Sequence, residues 1–180
     1  MFEMKLNPLL PKIIFVILFN FLFSSALYAH VMVAQQGTLN IKEDGVYMVI
    51  SVPVSAFSGI DDDEDGKLSS EEFALHRPAI IKTVQSNIML KDETAELALK
   101  GLMLSPVMSH HAPNEPATQL VVMGRFSLDN ANSTLEYQVN LFGKSADEEK
   151  LKITVTRKQD GSKQVFEIDE KKPKIIIFKT

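Results

Sequence analysis

The chain has 180 residues, a net charge of −4, 45% hydrophobic and 23% charged residues, and no cysteine. That length suits one domain, and the composition is that of a globular protein. Lysine and arginine are spread along the chain, so no basic run invites nucleic acid, and the lack of cysteine excludes disulfides, thiolate zinc sites and thiol nucleophiles.

In chain order, Lys5 and Lys12 precede an apolar run at 13–23, broken only by Asn20. The small-residue stretch SSALYA follows. A basic start, a short apolar segment and a small-residue exit predict a signal peptide over residues 1–29. Cleavage after Ala29 leaves His30 first; cleavage after Ala26, with Ser24 three places back, fits as well. The run is shorter than the roughly 20 residues of a membrane span. An uncleaved anchor is the other reading. The expected product is a periplasmic or secreted domain of residues 30–180, without a transmembrane segment once cleaved.

Residues 31–41 and 46–52 are β-type runs flanking KEDG. The Asp44-Gly45 pair between them predicts a hairpin. Pro53 then opens an insertion spanning about 53–90. Its second half places Phe73, Ile80, Ile81, Val84 and Ile88 on one helical face. Ser69 and Glu72 have the spacing of a capping box at the helix start. Pro78 predicts a kink in that helix. From residue 89 the apolar period returns to two. Strand-like runs are MLKDETAELALKGLML, ATQLVVMGRFSL, STLEYQVNLFG, KLKITVTR, KQVFEID and KPKIIIFKT. Residues 105–117 read as a Pro-containing loop, and 157–162 as a hairpin turn. The predicted fold is mainly β: an immunoglobulin-like antiparallel β-sandwich of seven or eight strands with a helical insertion after the second.

Residues 61–72, DDDEDGKLSSEE, match D-x-[DN]-x-[DN]-G-x5-E at every constrained place. Asp61, Asp63 and Asp65 stand at positions 1, 3 and 5, Gly66 at 6, and Glu72 at 12. Calcium takes six to eight hard oxygen ligands, and alternate residues of a tight loop can aim carboxylates at one centre. Gly66 permits the sharp turn. Lys67 can offer its backbone carbonyl, Ser69 can act through water, and Glu72 can close the shell with two oxygens. The expected metal ligands are therefore Asp61, Asp63, Asp65, Lys67, Ser69 and Glu72, with Ca2+ as the ion. Asp62, Glu64 and Glu71 add negative potential. Leu68 fills the apolar place at position 8.

These residues resemble the EF-hand calcium-binding loop, in a single copy, over residues 61–77. The entering helix of that family has at most two turns' room here, since Pro53 and Gly59 bracket it. The layout, an exported sandwich with one calcium loop after its first hairpin, is similar to the exported N-terminal portions of bacterial HupE/UreJ-type membrane proteins. That resemblance carries no site residues.

The expected function is an exported, non-enzymatic calcium-binding protein. Its ion orders the helical insertion and supports docking with another protein or an envelope component. No Gly-rich phosphate loop and no G-x-S-x-G occurs. The alternative is a periplasmic carrier of a soft, copper-type metal using His30, His110 and His111, with thioether support from Met32 and Met108. His76, on the exit helix, reads as a surface residue. Asn132-Ser-Thr is a formal glycosylation sequon.

Overall fold

The computed structural model describes residues 34–107 and 115–178. The expected signal peptide, residues 1–29, lies outside them. The strands are β1 (Gln36–Lys42), β2 (Gly45–Pro53), β3 (Ile88–Lys91), β4 (Glu96–Leu97), β5 (Leu99–Val107), β6 (Gln119–Ser127), β7 (Leu135–Val139), β8 (Lys150–Arg157), β9 (Lys163–Asp169) and β10 (Lys174–Ile177). A single 3-10 turn, Val54–Ala56, follows β2, and helix α1 spans Ser70–Asn87. The chain is mainly β, as its alternating runs predict.

Two sheets form. The larger has the order β5-β6-β2-β1-β8-β9, and the smaller β10-β7-β3-β4. Alternation sorts the side chains: on β8, Leu151, Ile153 and Val155 are buried while Lys150 and Lys152 are exposed. The buried face of the large sheet contributes Leu39, Ile41, Met48, Ile50, Leu120, Val122 and Phe126, and the small sheet Leu90, Leu135, Tyr137 and Val139. These residues make one apolar core, which gives the sandwich its driving force. Tyr137 is fully buried, and its hydroxyl donates to the Met48 sulfur at 3.3 Å. Burial raises the Tyr137 phenol well above its ordinary range.

Several expectations are corrected. Ten strands form among the described residues rather than seven or eight, because the run MLKDETAELALKGLML divides among β3, β4 and β5. β1 pairs with β8 in parallel, so the sheet is not wholly antiparallel. β1 and β8 are far apart in sequence, and no tight turn constrains their relative direction. Ser105–Val107 continue β5 rather than opening a loop, pairing with Gln119–Val121. β5 is an edge strand, where Pro106 costs no ladder bond if its ring nitrogen faces outward.

Gly45 is not in the turn. It opens β2 opposite Lys42, leaving Glu43 and Asp44 as the two-residue loop. A Cβ at Gly45 would lie 2.5 Å from the Phe126 carbonyl oxygen. The glycine is needed for the close approach of β6, not for a left-handed turn.

α1 runs unbroken through Pro78. Ile80, Val84 and the C-cap Ile88 are fully buried, and Phe73 packs against the core. No described helix is long and apolar enough to cross a membrane.

Candidate metal centre

The acidic loop is suspended between buried anchors. Phe57 and Ile60 hold its entry, Leu68 its exit, and Ile80 and Val84 dock the helix that follows. Only the single 3-10 turn stands where an entering helix would be. Burying those apolar residues fixes the chain around a stretch whose own side chains face water.

Between the anchors the carboxylates organise the backbone. Asp61 Oδ1 accepts the Asp65 N–H at 3.1 Å, and Asp61 Oδ2 accepts the Gly66 N–H at 2.9 Å. Asp63 Oδ1 accepts the Asp65 N–H at 3.3 Å, and Asp65 Oδ1 accepts the Lys67 N–H at 2.8 Å. Gly66 has φ +79°, a left-handed conformation that glycine adopts freely. Glu64 has φ +59°, which costs a side-chain-bearing residue about 1 kcal/mol or more.

The outcome is convergence. One carboxylate oxygen from each of Asp61, Asp63 and Asp65 lies within 4.8 Å of the others. Oxygens that close can share one cation, since the ligands of a single ion lie no farther apart than twice the metal–oxygen distance. Asp63 feels the crowding. The Asp65 N–H lowers its pKa, but desolvation and the charges of Asp65 and Glu72 outweigh that bond and leave the pKa raised overall. The cluster can hold a metal ion.

Glu72 is outside that close group. Its Oε1 accepts the Asp62 N–H at 2.7 Å, and its Oε2 accepts the Ser69 N–H at 2.8 Å and the Ser69 hydroxyl at 2.7 Å. Ser69 Oγ in turn accepts the Glu72 N–H at 3.2 Å, completing the capping box. The Ser69 hydroxyl first, then the Ser69 and Asp62 N–H groups, hold the Glu72 carboxyl down to about 2. Glu72 is therefore a fixed anion beside the three aspartates. Lys67 is half-buried with its N–H on Asp65. Ser69 is the helix N-cap.

Two features were not readable from the loop's pattern. Leu68 forms a two-way backbone bridge with Ala117, each N–H donating to the other's carbonyl at 2.8 Å. His76 is no free surface residue: its Nε2 lies 2.9 Å from Asp62 Oδ2. Helix docking swings that ring toward the loop, a tertiary effect with no local signal. The alternative soft-metal residues His30, Met32, Met108, His110 and His111 lie outside the described residues. No protein-family model matches the chain, and no curated protein matches it.

Proposed function

We propose that residues 61–72 bind Ca2+ and that the ion fastens the 54–87 segment onto the sandwich of an exported, non-enzymatic protein. The convergence of Asp61, Asp63 and Asp65 carries this reading. Three anions at that spacing repel one another, and a divalent cation turns the repulsion into attraction. In the bound loop the Lys67 carbonyl and a Ser69-held water add ligands. Glu72 exchanges its Ser69 and Asp62 donors for the ion, which several hard oxygens favour as calcium over magnesium. The ordered insertion then offers a fixed surface for another protein or an envelope component. Extracellular calcium modules bind at about 10⁻⁴–10⁻³ M, so such a site fills constitutively outside the cell.

The test is calcium titration by calorimetry, with melting curves in calcium and in EDTA. The reading expects one site and a higher melting temperature in calcium. Linkage gives about 2.7 kcal/mol of stabilisation at one hundred times the dissociation constant. Absence of binding heat together with superimposed melting curves would reject it.

A further inference from the structure

The large sheet has an outer face, opposite the core, whose residues line up across all six strands. Strand register places Met103, Met123, Val49, Thr38, Thr154 and Val165 in one continuous row. Met103 is 58% and Val165 52% exposed. The adjacent row is Lys100, Arg125, Tyr47, Asn40, Thr156 and Lys163. Lys42, Lys150 and Lys152 project from the same face.

This face runs against the charge of the chain. Six basic residues stand on its strands against Glu167 and Asp169, a balance of +4, or +2 with Glu43 and Asp44 of the adjoining β1–β2 loop, on a protein of net −4. Arg125 is paired with Asp44 at 3.0 Å and Lys150 with Glu167 at 2.7 Å. Among the described residues, no carboxylate lies within ion-pair distance of Lys42, Lys100, Lys152 or Lys163. Six strands span roughly 24 Å, so these charges form a broad, flat basic field.

We propose that this outer face docks on an anionic lipid bilayer, with lysines meeting lipid phosphates and the Met103–Val165 row facing the interfacial zone. Charge complementarity selects an anionic occupant. Five of the six cations are lysine, the residue depleted from protein–protein interfaces, where arginine is favoured for its planar fork. Lysine stems can lie along apolar surface while the ammonium reaches a phosphate. Each lysine near an anionic surface contributes about fivefold in partitioning. The inference does not rest on calcium binding by the acidic loop.

The test is co-sedimentation of the full chain with phosphatidylcholine vesicles, with and without phosphatidylglycerol, in EDTA so that calcium cannot bridge acidic groups to lipid. The apolar run at 13–23 can bind any bilayer, so the readout is the gain on adding phosphatidylglycerol. That gain should fall steeply with salt. Lys100→Glu with Lys163→Glu should lower it about tenfold or more. Both sites are exposed edge-strand positions, and melting curves check that the pair folds. Arg77→Glu with Lys82→Glu changes net charge equally on α1 and should leave the gain intact. No gain from phosphatidylglycerol, or equal loss in both pairs, would overturn the proposal. Retention on immobilised polyglutamate without vesicle binding would also overturn it and assign the face to an acidic protein partner.

Discussion

Leu68 and Ala117 exchange both of their backbone hydrogen bonds, at 2.8 Å each. Leu68 is the eighth residue of the acidic loop and is fully buried. One residue on, the Thr118 carbonyl accepts the Val54 N–H at 2.9 Å. The excursion between β2 and α1 is thus tied near both ends to the short segment that enters β6. Ala117→Pro removes one donor and strands the buried Leu68 carbonyl. The expected cost is about 1–3 kcal/mol, read in denaturant melts. Calcium affinity should weaken as well, because the loop loses its support. Ala117→Gly keeps both bonds and should leave affinity near wild type.

Asp63 separates ligand from scaffold. Its pKa is raised on balance, so its charge is unfavourable in the loop without a cation. Asn at this position keeps an oxygen for the Asp65 N–H and removes the repulsion. Asp63→Asn should therefore match or exceed the wild-type melting temperature in EDTA. In calcium it should bind about tenfold more weakly or worse, since ligand charge sets affinity. A calorimetric titration beside paired melting curves reads both effects. Asp61→Ala behaves differently: it also abandons the Asp65 and Gly66 N–H groups, and should destabilise the loop even in EDTA.

The Ser69 cap acts on the helix with or without an ion. Ser69→Ala removes the acceptor for the Glu72 N–H and one donor to the Glu72 carboxylate. Loss of such a cap costs about 1 kcal/mol. The cap penalty should appear in EDTA as well as in calcium, and calcium affinity should fall in addition if Ser69 holds a coordinating water. A penalty confined to calcium would make Ser69 a ligand position only.

Much of this fold was legible because strict alternation is a local signal. KQVFEID coincides with β9, and KLKITVTR with β8. The capping box and the apolar face of α1 were legible for the same reason, being set by residues three and four apart. What could not be read is set by distant neighbours. The parallel β1–β8 pairing joins residues more than a hundred apart. Leu68 finds Ala117, and His76 finds Asp62, only once the helix is docked. The three aspartates were legible as a cluster because the loop folds on its own N–H groups. The engagement of Glu72 by Ser69 and Asp62 was half legible: the cap spacing was visible, the long reach to Asp62 was not.

Asp92 gives a pH dependence away from the acidic loop. The Thr94 hydroxyl first, then the Ala95 and Thr94 N–H groups, hold its carboxyl below the ordinary 3.8. Thr94 Oγ1 and N lie 2.7 Å from Asp92 Oδ1, and the Ala95 N 2.8 Å. A lowered folded value stabilises above the unfolded pKa. That contribution fades as pH falls from near 4 through the folded value. Asp92→Asn keeps an acceptor but does not titrate. The wild-type advantage over this variant should be present at about pH 6 and shrink by about pH 3, as read by thermal melts. A constant difference across that window would place the effect in geometry rather than charge.

Gly45 tests the reassignment of the first hairpin. With Gly45 as a turn residue at positive φ, alanine would act through backbone strain. The structure instead gives it an extended place in β2, with the Phe126 carbonyl and the Arg125 side chain occupying the space a Cβ would need. An alanine Cβ there would sit 2.5 Å from Phe126 O and 2.9 Å from Arg125 Nε. The arginine can give way, but the carbonyl belongs to a central strand pairing and cannot. Gly45→Ala should therefore push β6 from β2 and cost about 1–3 kcal/mol. Amide exchange should rise at the β2–β6 end near Val46 and Phe126, while the β1–β2 loop stays as protected as before. Faster exchange confined to Glu43 and Asp44 would instead return the glycine to the turn.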